Sequence, residues 1–258
     1  MTGTEERIRF CVRIADISFE VYCLFDSTRN FCEDYLISER EVCQESIVIS
    51  RETLVMERER ILNKRKILPE YLNASEEFLE SMHLCRRIAE LLPKYGRVLF
   101  HGSALSIDGK GVIITAVSGT GKSTHTQLWR EVFGDRVRMI NDDKPILHVS
   151  EDGVTVYGSP WRGKHGLGSN VSAPLAAVCQ ISRASENRVE SVWSKDFIPI
   201  AMQQTYAPEN LDAMIRTIRH VGILCKTIFT CRIFCNMEPE AAETVYAALN
   251  LDGLEDML

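Results

Sequence analysis

The nonapeptide Ala116-Val117-Ser118-Gly119-Thr120-Gly121-Lys122-Ser123-Thr124 constrains this chain most, because its chemistry works only between a strand and a helix. It matches the phosphate-loop pattern G-x-x-x-x-G-K-[ST] at Gly121, Lys122 and Ser123, and departs from it at Ala116, which stands at the strand end. Gly119 and Gly121 let the backbone turn so that successive N–H groups, those of Ser118 and Thr120 among them, converge on phosphate oxygens. A helix opening directly after the loop adds an N-terminus that favours anions. Lys122 brings a point charge to the β- and γ-phosphates, Ser123 a hydroxyl for magnesium, and Thr124 a second hydroxyl for a phosphate oxygen. The flanks meet the requirement. Residues 111–117 (GVIITAV) read as a buried, β-branched strand, and residues 122–134 (KSTHTQLWREVFG) read as a helix.

Downstream, the apolar run VRMIN ends in Asp142 and Asp143. In phosphate-loop proteins an acid at the end of such a strand holds the magnesium shell. Two adjacent acids can divide the work, Asp142 serving the metal and Asp143 accepting a proton from an attacking hydroxyl. Adjacent carboxylates also disfavour double ionisation. A further stretch, SPWRGKHGLGSN at 159–170, gathers three glycines, a tryptophan and the side chains Arg162, Lys164 and His165. These three suit a transferring phosphate or an acidic acceptor. His125 reads as a solvent-facing residue just inside the helix, and Trp129 as helix packing.

The rest of the sequence sets the frame. At 258 residues the chain is long enough for one large domain or two small ones. Residues 8–25 read as two short strands with a turn at Ala15–Asp16, and Ile47–Ile49 as another. A helix follows from Arg51, with Leu54, Val55, Ile61, Leu62 and Leu68 as its stripe and Pro69 at its end. Residues 75–93 predict a stronger helix with Ser75 as cap and Phe78, Met82, Cys85, Ile88, Ala89 and Leu92 facing inward. RVLFHGSAL (97–105) reads as one strand, and strands and helices alternate from there to a last helix at about 239–249. The expected architecture is α/β: an N-terminal α/β segment over residues 1–95, either separate or part of the same domain, and a phosphate-loop core with a mixed sheet over residues 96–258.

Net charge is −6, which weighs against a nucleic-acid partner. Arg58, Arg60, Lys64, Arg65 and Lys66 read as a solvated helix face. Nine cysteines, none in C-x-x-C spacing and most set among apolar residues, fit buried thiols in a reducing cytoplasm better than a disulfide framework or a zinc site. The N-terminus lacks a signal-peptide core, and no apolar run reaches the roughly 18 residues of a membrane helix. A soluble cytoplasmic protein without membrane contact is expected.

Taken together, four pieces resemble the HPr kinase/phosphorylase family, which shares a nucleotide-binding core with phosphoenolpyruvate carboxykinases. They are FHGSALSIDGKGVIIT (100–115), SGTGKS (118–123), MINDDK (139–144) and GLGSNVSAPLAAV (166–178). The resemblance spans roughly residues 97–180. It implies ATP and Mg²⁺ as cofactors, a hydroxyl-bearing acceptor (a protein or peptide serine or a small metabolite), Asp143 as the base, Asp142 at the metal, His101 as a proton relay to the aspartate, and a homo-oligomer. One departure stands out. The family's glutamate before its signature arginine falls near Gly163, and the basic position near His165, flanked by Arg162 and Lys164. The family's phosphoserine-hydrolysis loop is not evident. Three functional expectations follow: an ATP-dependent hydroxyl kinase, a nucleotide-binding regulatory module without phosphotransfer, and a carboxykinase or nucleotide hydrolase, the last disfavoured by chain length.

Overall fold

The computed structural model describes residues 6–63, 73–116 and 120–249. Leu68, Pro69, Lys64, Arg65 and Lys66, and within the phosphate loop Val117, Ser118 and Gly119, lie outside the described residues. The chain forms two compact units, Met1–Glu90 and Leu91–Leu258.

In the first unit, β1 (Ile8–Ile14) and β2 (Ile17–Cys23) form the expected hairpin. Ala15 and Asp16 both take positive φ (48° and 61°), the geometry of a tight two-residue turn whose twist matches the strands. β3 (Leu36–Ile37) adds beside β1 and β4 (Glu45–Val48) beside β2, giving the order β3-β1-β2-β4. Helix α1 (Asp26–Phe31) follows β2. Helix α2 (Arg51–Leu62) is capped by Ser50, whose hydroxyl accepts from the Thr53 amide, while the Thr53 hydroxyl accepts from the Ser50 amide.

Helix α3 (Glu76–Leu91) differs from expectation in its inward face. Leu79, Glu80, His83 and Leu84 are buried with Cys85, Ile88 and Ala89, whereas Phe78 is exposed. The reason is electrostatic. Fully buried Glu80 accepts from the amides of Leu24 (2.6 Å) and Phe25 (3.2 Å) and from the Thr28 hydroxyl, satisfying donors at the start of α1. Buried Glu57 of α2 likewise pairs with Arg86 (2.7 Å) and His83 (3.3 Å). An apolar stripe alone does not describe helices that bury carboxylates.

The second unit is α/β with a mixed sheet. Nine strands follow the order β5-β9-β10-β11-β7-β6-β8, with β13 added on β11 and β12 on β13. They are β5 (Arg97–Leu99), β6 (Ser103–Ile107), β7 (Lys110–Thr115), β8 (Val137–Asn141), β9 (Ile146–Ser150), β10 (Gly153–Tyr157), β11 (Ser172–Arg183), β12 (Arg188–Ser191) and β13 (Phe229–Cys235). The 12-residue β11 forks the sheet. Its first residues pair antiparallel with β10, and its later ones run parallel to both β7 and β13.

Helices cover both faces, so the strands alternate between two cores. Val112, Ile114, Ala177, Cys179 and Ile181 pack with Trp129 of α4 (Lys122–Phe133) and Val245 of α7 (Glu240–Leu249). Ile113 and Val178 pack on the other face with Phe197 of α5 (Ser194–Gln204) and Val221 of α6 (Leu211–Thr227). Burial on both faces is why β7 reads as an unbroken apolar run.

The single strand expected over 97–105 is two strands. Chain pairing breaks at His101–Gly102, where a Cβ on Gly102 would come 2.8 Å from Ile113 Cγ2 and 3.2 Å from the Ile114 carbonyl. Glycine lets the chain lie flat on β7, and the break turns His101 out of the ladder.

No cysteine is in a disulfide, and all but Cys43 are buried. No helix among the described residues is long and apolar enough to cross a membrane.

Candidate functional site

The site forms where β7, β8 and the β5–β6 break end together. β7 delivers the chain into the glycine-rich loop, and α4 opens immediately after Gly121, which takes φ +120°, a conformation side chains rarely adopt. Lys122 is partly buried, and its Nζ donates to the Ala116 carbonyl at 3.3 Å. Burial pushes its pKa below the ordinary lysine value, and Lys144 does so too, against the opposing pull of Asp143 and Asp142. The ammonium therefore stands in the field of both acids. Ser123 and Thr124 occupy the first turn, half-buried.

Asp142 and Asp143 follow β8, and Asn141 turns the chain there. Its Oδ1 accepts from the amides of Asp143 (2.9 Å) and Lys144 (2.6 Å), while its amide group donates to the Ser159 carbonyl (3.0 Å) and hydroxyl (3.1 Å). The two carboxylates consequently point to different partners. Asp142 is buried at 7% exposure and accepts a hydrogen bond from Ser103 on β6. The Ser103 hydroxyl also meets the Thr126 hydroxyl at 3.1 Å, and Thr126 bonds the Ser123 carbonyl at 3.1 Å. Asp142 is thus tied to the first turn of α4. Asp143 is more open, and pairs with Lys144 at 2.5 Å and with His101 Nε2 at 3.6 Å.

His101 is held from both sides. Its amide donates to the Gln204 carbonyl (2.7 Å), its carbonyl accepts from the Thr115 hydroxyl (2.9 Å), and Nδ1 faces Gln204 Oε1 at 3.0 Å. With Oε1 as acceptor, Nδ1 carries the proton and Nε2 turns its lone pair toward Asp143. Burial lowers the His101 pKa from 6.5, and Lys122 reinforces this. Asp143 and the Gln204 bond oppose it.

The loop after β10 is stitched to the acids through its backbone. The Asp142 amide donates to the Leu167 carbonyl (3.0 Å), and the Ser169 amide to that of Ile140 (3.1 Å). Gly163 takes φ +69°, and a Cβ there would sit 3.0 Å from Asp143 Cβ. Arg162 is half-buried beneath Gly168, whose own Cβ would come 3.3 Å from Arg162 Cγ. Lys164 and His165 are exposed on the same loop.

The structure therefore gathers His101, Lys122, Asp142 and Asp143, with Arg162 on the adjoining loop, and leaves Lys164 and His165 at its exposed turn. Ser118 and Gly119 fall outside the described residues. Ser103, Thr126, Asn141, Ser159 and Gln204 were not singled out by sequence reasoning. Asn141 carried a signal, an Asx residue directly before paired acids, but Ser103 and Gln204 carried none. His125 corrects an expectation: it is 2% exposed, because its side of α4 faces β13, and burial drops its pKa to about 4.

The oxygen donors Ser123 and Asp142 are of the type that magnesium takes, one or two protein ligands beside water and phosphate oxygens. No group of three or more His, Cys, Asp or Glu among the described residues could hold a metal by itself.

No protein-family model matches the chain. No curated protein matches it either. Among solved structures, the Hpr(Ser) kinase/phosphatase from Coxiella burnetii is similar at a TM-score of 0.36 and 12% identity, over 61% of this chain and 94% of that one. The likeness is distant.

Proposed function

We propose that this protein is an ATP- and Mg²⁺-dependent phosphotransferase that moves the γ-phosphoryl group to a hydroxyl, either a serine of a protein or peptide or a small metabolite. The observation that carries this reading is the placement of a half-open carboxylate, Asp143, 3.6 Å from His101 Nε2 and in the field of Lys122. In this reading a base, a second proton acceptor beside it and a phosphate-seeking cation converge at the end of β7.

In this reading Ser123 and Asp142 would hold magnesium, which would supply charge neutralisation at the phosphate oxygens. The Ser103 hydrogen bond orients the Asp142 carboxylate. Asp143 takes the acceptor's hydroxyl proton as that oxygen bonds to phosphorus, and the β–γ bridging oxygen leaves with the electron pair. Asp143 then passes that proton to His101 Nε2, which is aligned by Gln204. Lys122 and Arg162 balance charge on the moving phosphoryl group.

Labelled ATP incubated with serine peptides, free serine and simple polyols tests the reading. Label on one acceptor class, absent in Asp143→Asn while nucleotide binding persists, is the expected outcome. Transfer by Asp143→Asn at the wild-type rate removes Asp143 as the base. A second reading, a nucleotide-binding regulatory module, is favoured by the absence of a carboxylate at Gly163. ATP binding without transfer to any acceptor supports it.

A further inference from the structure

Helix α6 (Leu211–Thr227) carries apolar residues on both of its sides. On one side Val221, Leu224 and Cys225 are buried in the core that they share with β9, β10 and α5. On the other, Leu211, Ile215 and Ile218 are 72%, 57% and 53% exposed. A surface helix normally keeps one apolar stripe and turns polar residues outward, and one that is apolar all round is covered. Single exposed apolar residues are ordinary, but these three lie in line. The positions 211, 215, 218 and 222 are spaced alternately by four and three residues, the seam along which one helix packs against another.

Gly222 is the second observation. It stands inside the helix, where glycine is destabilising relative to alanine, and it continues the exposed seam. Nothing in the chain calls for it. Its φ is not left-handed, and a Cβ there would meet no atom within 4 Å. Space that the chain itself leaves open is the space that a second helix needs for close approach.

Charge then selects the partner. Asp212 and Arg219 are exposed along one flank of the seam, seven residues apart. That separation is about 10 Å along the axis, too far for the two to pair with each other. Neither makes a hydrogen bond or ion pair among the described residues. Two copies of α6 laid antiparallel about a two-fold axis bring each Asp212 beside the other copy's Arg219. The same register sets Ile215 against Ile218 and Leu211 over the bare backbone at Gly222. A parallel pair sets every residue level with its own copy, so that neither complement is met. We infer that α6 is the contact face of a homodimer of this chain, formed by antiparallel pairing along the seam 211–222, with the same patch on both subunits. One helix pair buries less than the roughly 800 Å² per partner of a standard interface, so the association is weak, in the micromolar range. The inference goes beyond the phosphotransfer reading and does not depend on it.

Sedimentation equilibrium of the full chain over about 1–300 μM tests it. The mass is expected to rise from that of one chain toward that of two. Ile218→Asp, with the far-UV circular dichroism and thermal unfolding of the wild type, is expected to stay monomeric throughout. Asp212→Arg and Arg219→Asp alter exposed charges only, and each alone is expected to weaken the dimer about tenfold through like-charge contacts. An equimolar mixture of these two variants is expected to dimerise at least as tightly as the wild type, because both pairs are then opposite in sign. The mixture carries the test even where Ile218→Asp does not fold. A monomer at every concentration overturns the inference and leaves the seam to a different protein or to another part of this chain. A dimer that a folded Ile218→Asp leaves intact overturns it by placing the contact elsewhere, and a mixture no tighter than its single components overturns the antiparallel pairing.

Discussion

Ser103 donates a hydrogen bond to Asp142 across 39 positions of sequence, and the same hydroxyl meets Thr126 at 3.1 Å. One fully buried oxygen therefore joins β6, the acid after β8 and the first turn of α4. Ser103→Ala leaves Asp142 and Thr126 each short of a partner, at a cost of about 1–3 kcal/mol for the buried groups involved. The expected result is a stability loss of that size in denaturant unfolding, together with roughly tenfold weaker magnesium-dependent nucleotide binding. Nucleotide binding at wild-type strength in a destabilised Ser103→Ala would confine Ser103 to a packing role.

The carboxylate and the histidine set a pH dependence. Burial and Lys122 lower the His101 pKa below 6.5, so the ring is neutral at pH 7 and gains its proton only as pH falls below that ordinary value. The charged ring then pairs with the Asp143 carboxylate and weakens it as a base. Turnover is expected to be flat through neutrality and to fall on the acid side with an apparent pKa below 6.5, while His101→Asn shifts that limb. An acid limb that His101→Asn leaves in place would trace it to another group.

How far the sequence carried the structure differs between the two units. In the second, the strand and helix that flank the glycine-rich loop and the position of the acids after β8 were legible, because β-branched runs and helix starts are local signals. The break at His101–Gly102 was not, since it depends on how closely Gly102 lies against Ile113 in another strand. Gln204 was invisible for the same reason, reaching His101 from 103 positions away. In the first unit the apolar stripe of α3 misplaced Phe78 and missed Leu79 and Leu84, because Glu80 and His83 lie on the buried side. Hydrophobic period detects apolar faces and is blind to carboxylates that bury themselves on backbone amides.

Glu57 tests that point. It is 4% exposed, and burial pushes its pKa up, but hydrogen bonds from His83 and Arg86 outweigh burial and hold it below 4.5. A carboxylate lowered in the folded state adds stability above its unfolded pKa and loses it as pH falls through the folded value. Glu57→Gln strands Arg86, which is 17% exposed, and should cost roughly 2–3 kcal/mol at pH 7, somewhat less than a fully buried pair. Urea unfolding at pH 7 and at about pH 3 reads the difference. The gap between wild type and variant should shrink in acid, and a gap unchanged by pH would mean that packing, not charge, makes Glu57 matter.

The glutamate of the family that this sequence resembles falls near Gly163, a position with little room for a side chain. Its φ of +69° is a left-handed conformation that costs a side-chain-bearing residue about 1–2 kcal/mol, and a Cβ there would sit 3.0 Å from Asp143 Cβ. Gly163→Ala therefore combines backbone strain with pressure on Asp143, the carboxylate proposed as the base. A displacement of about 1 Å at a reacting group can cost on the order of a hundredfold in rate. The variant is expected to bind MgATP as the wild type does and to transfer phosphoryl groups at least tenfold more slowly. Gly163→Glu, which supplies the carboxylate, should be no better than Gly163→Ala, because the constraint is the space beside Asp143 rather than a missing ligand. Single-turnover transfer rates at saturating ATP measure both variants, and faster transfer by Gly163→Glu than by the wild type would show that this position tolerates the carboxylate and gains from it.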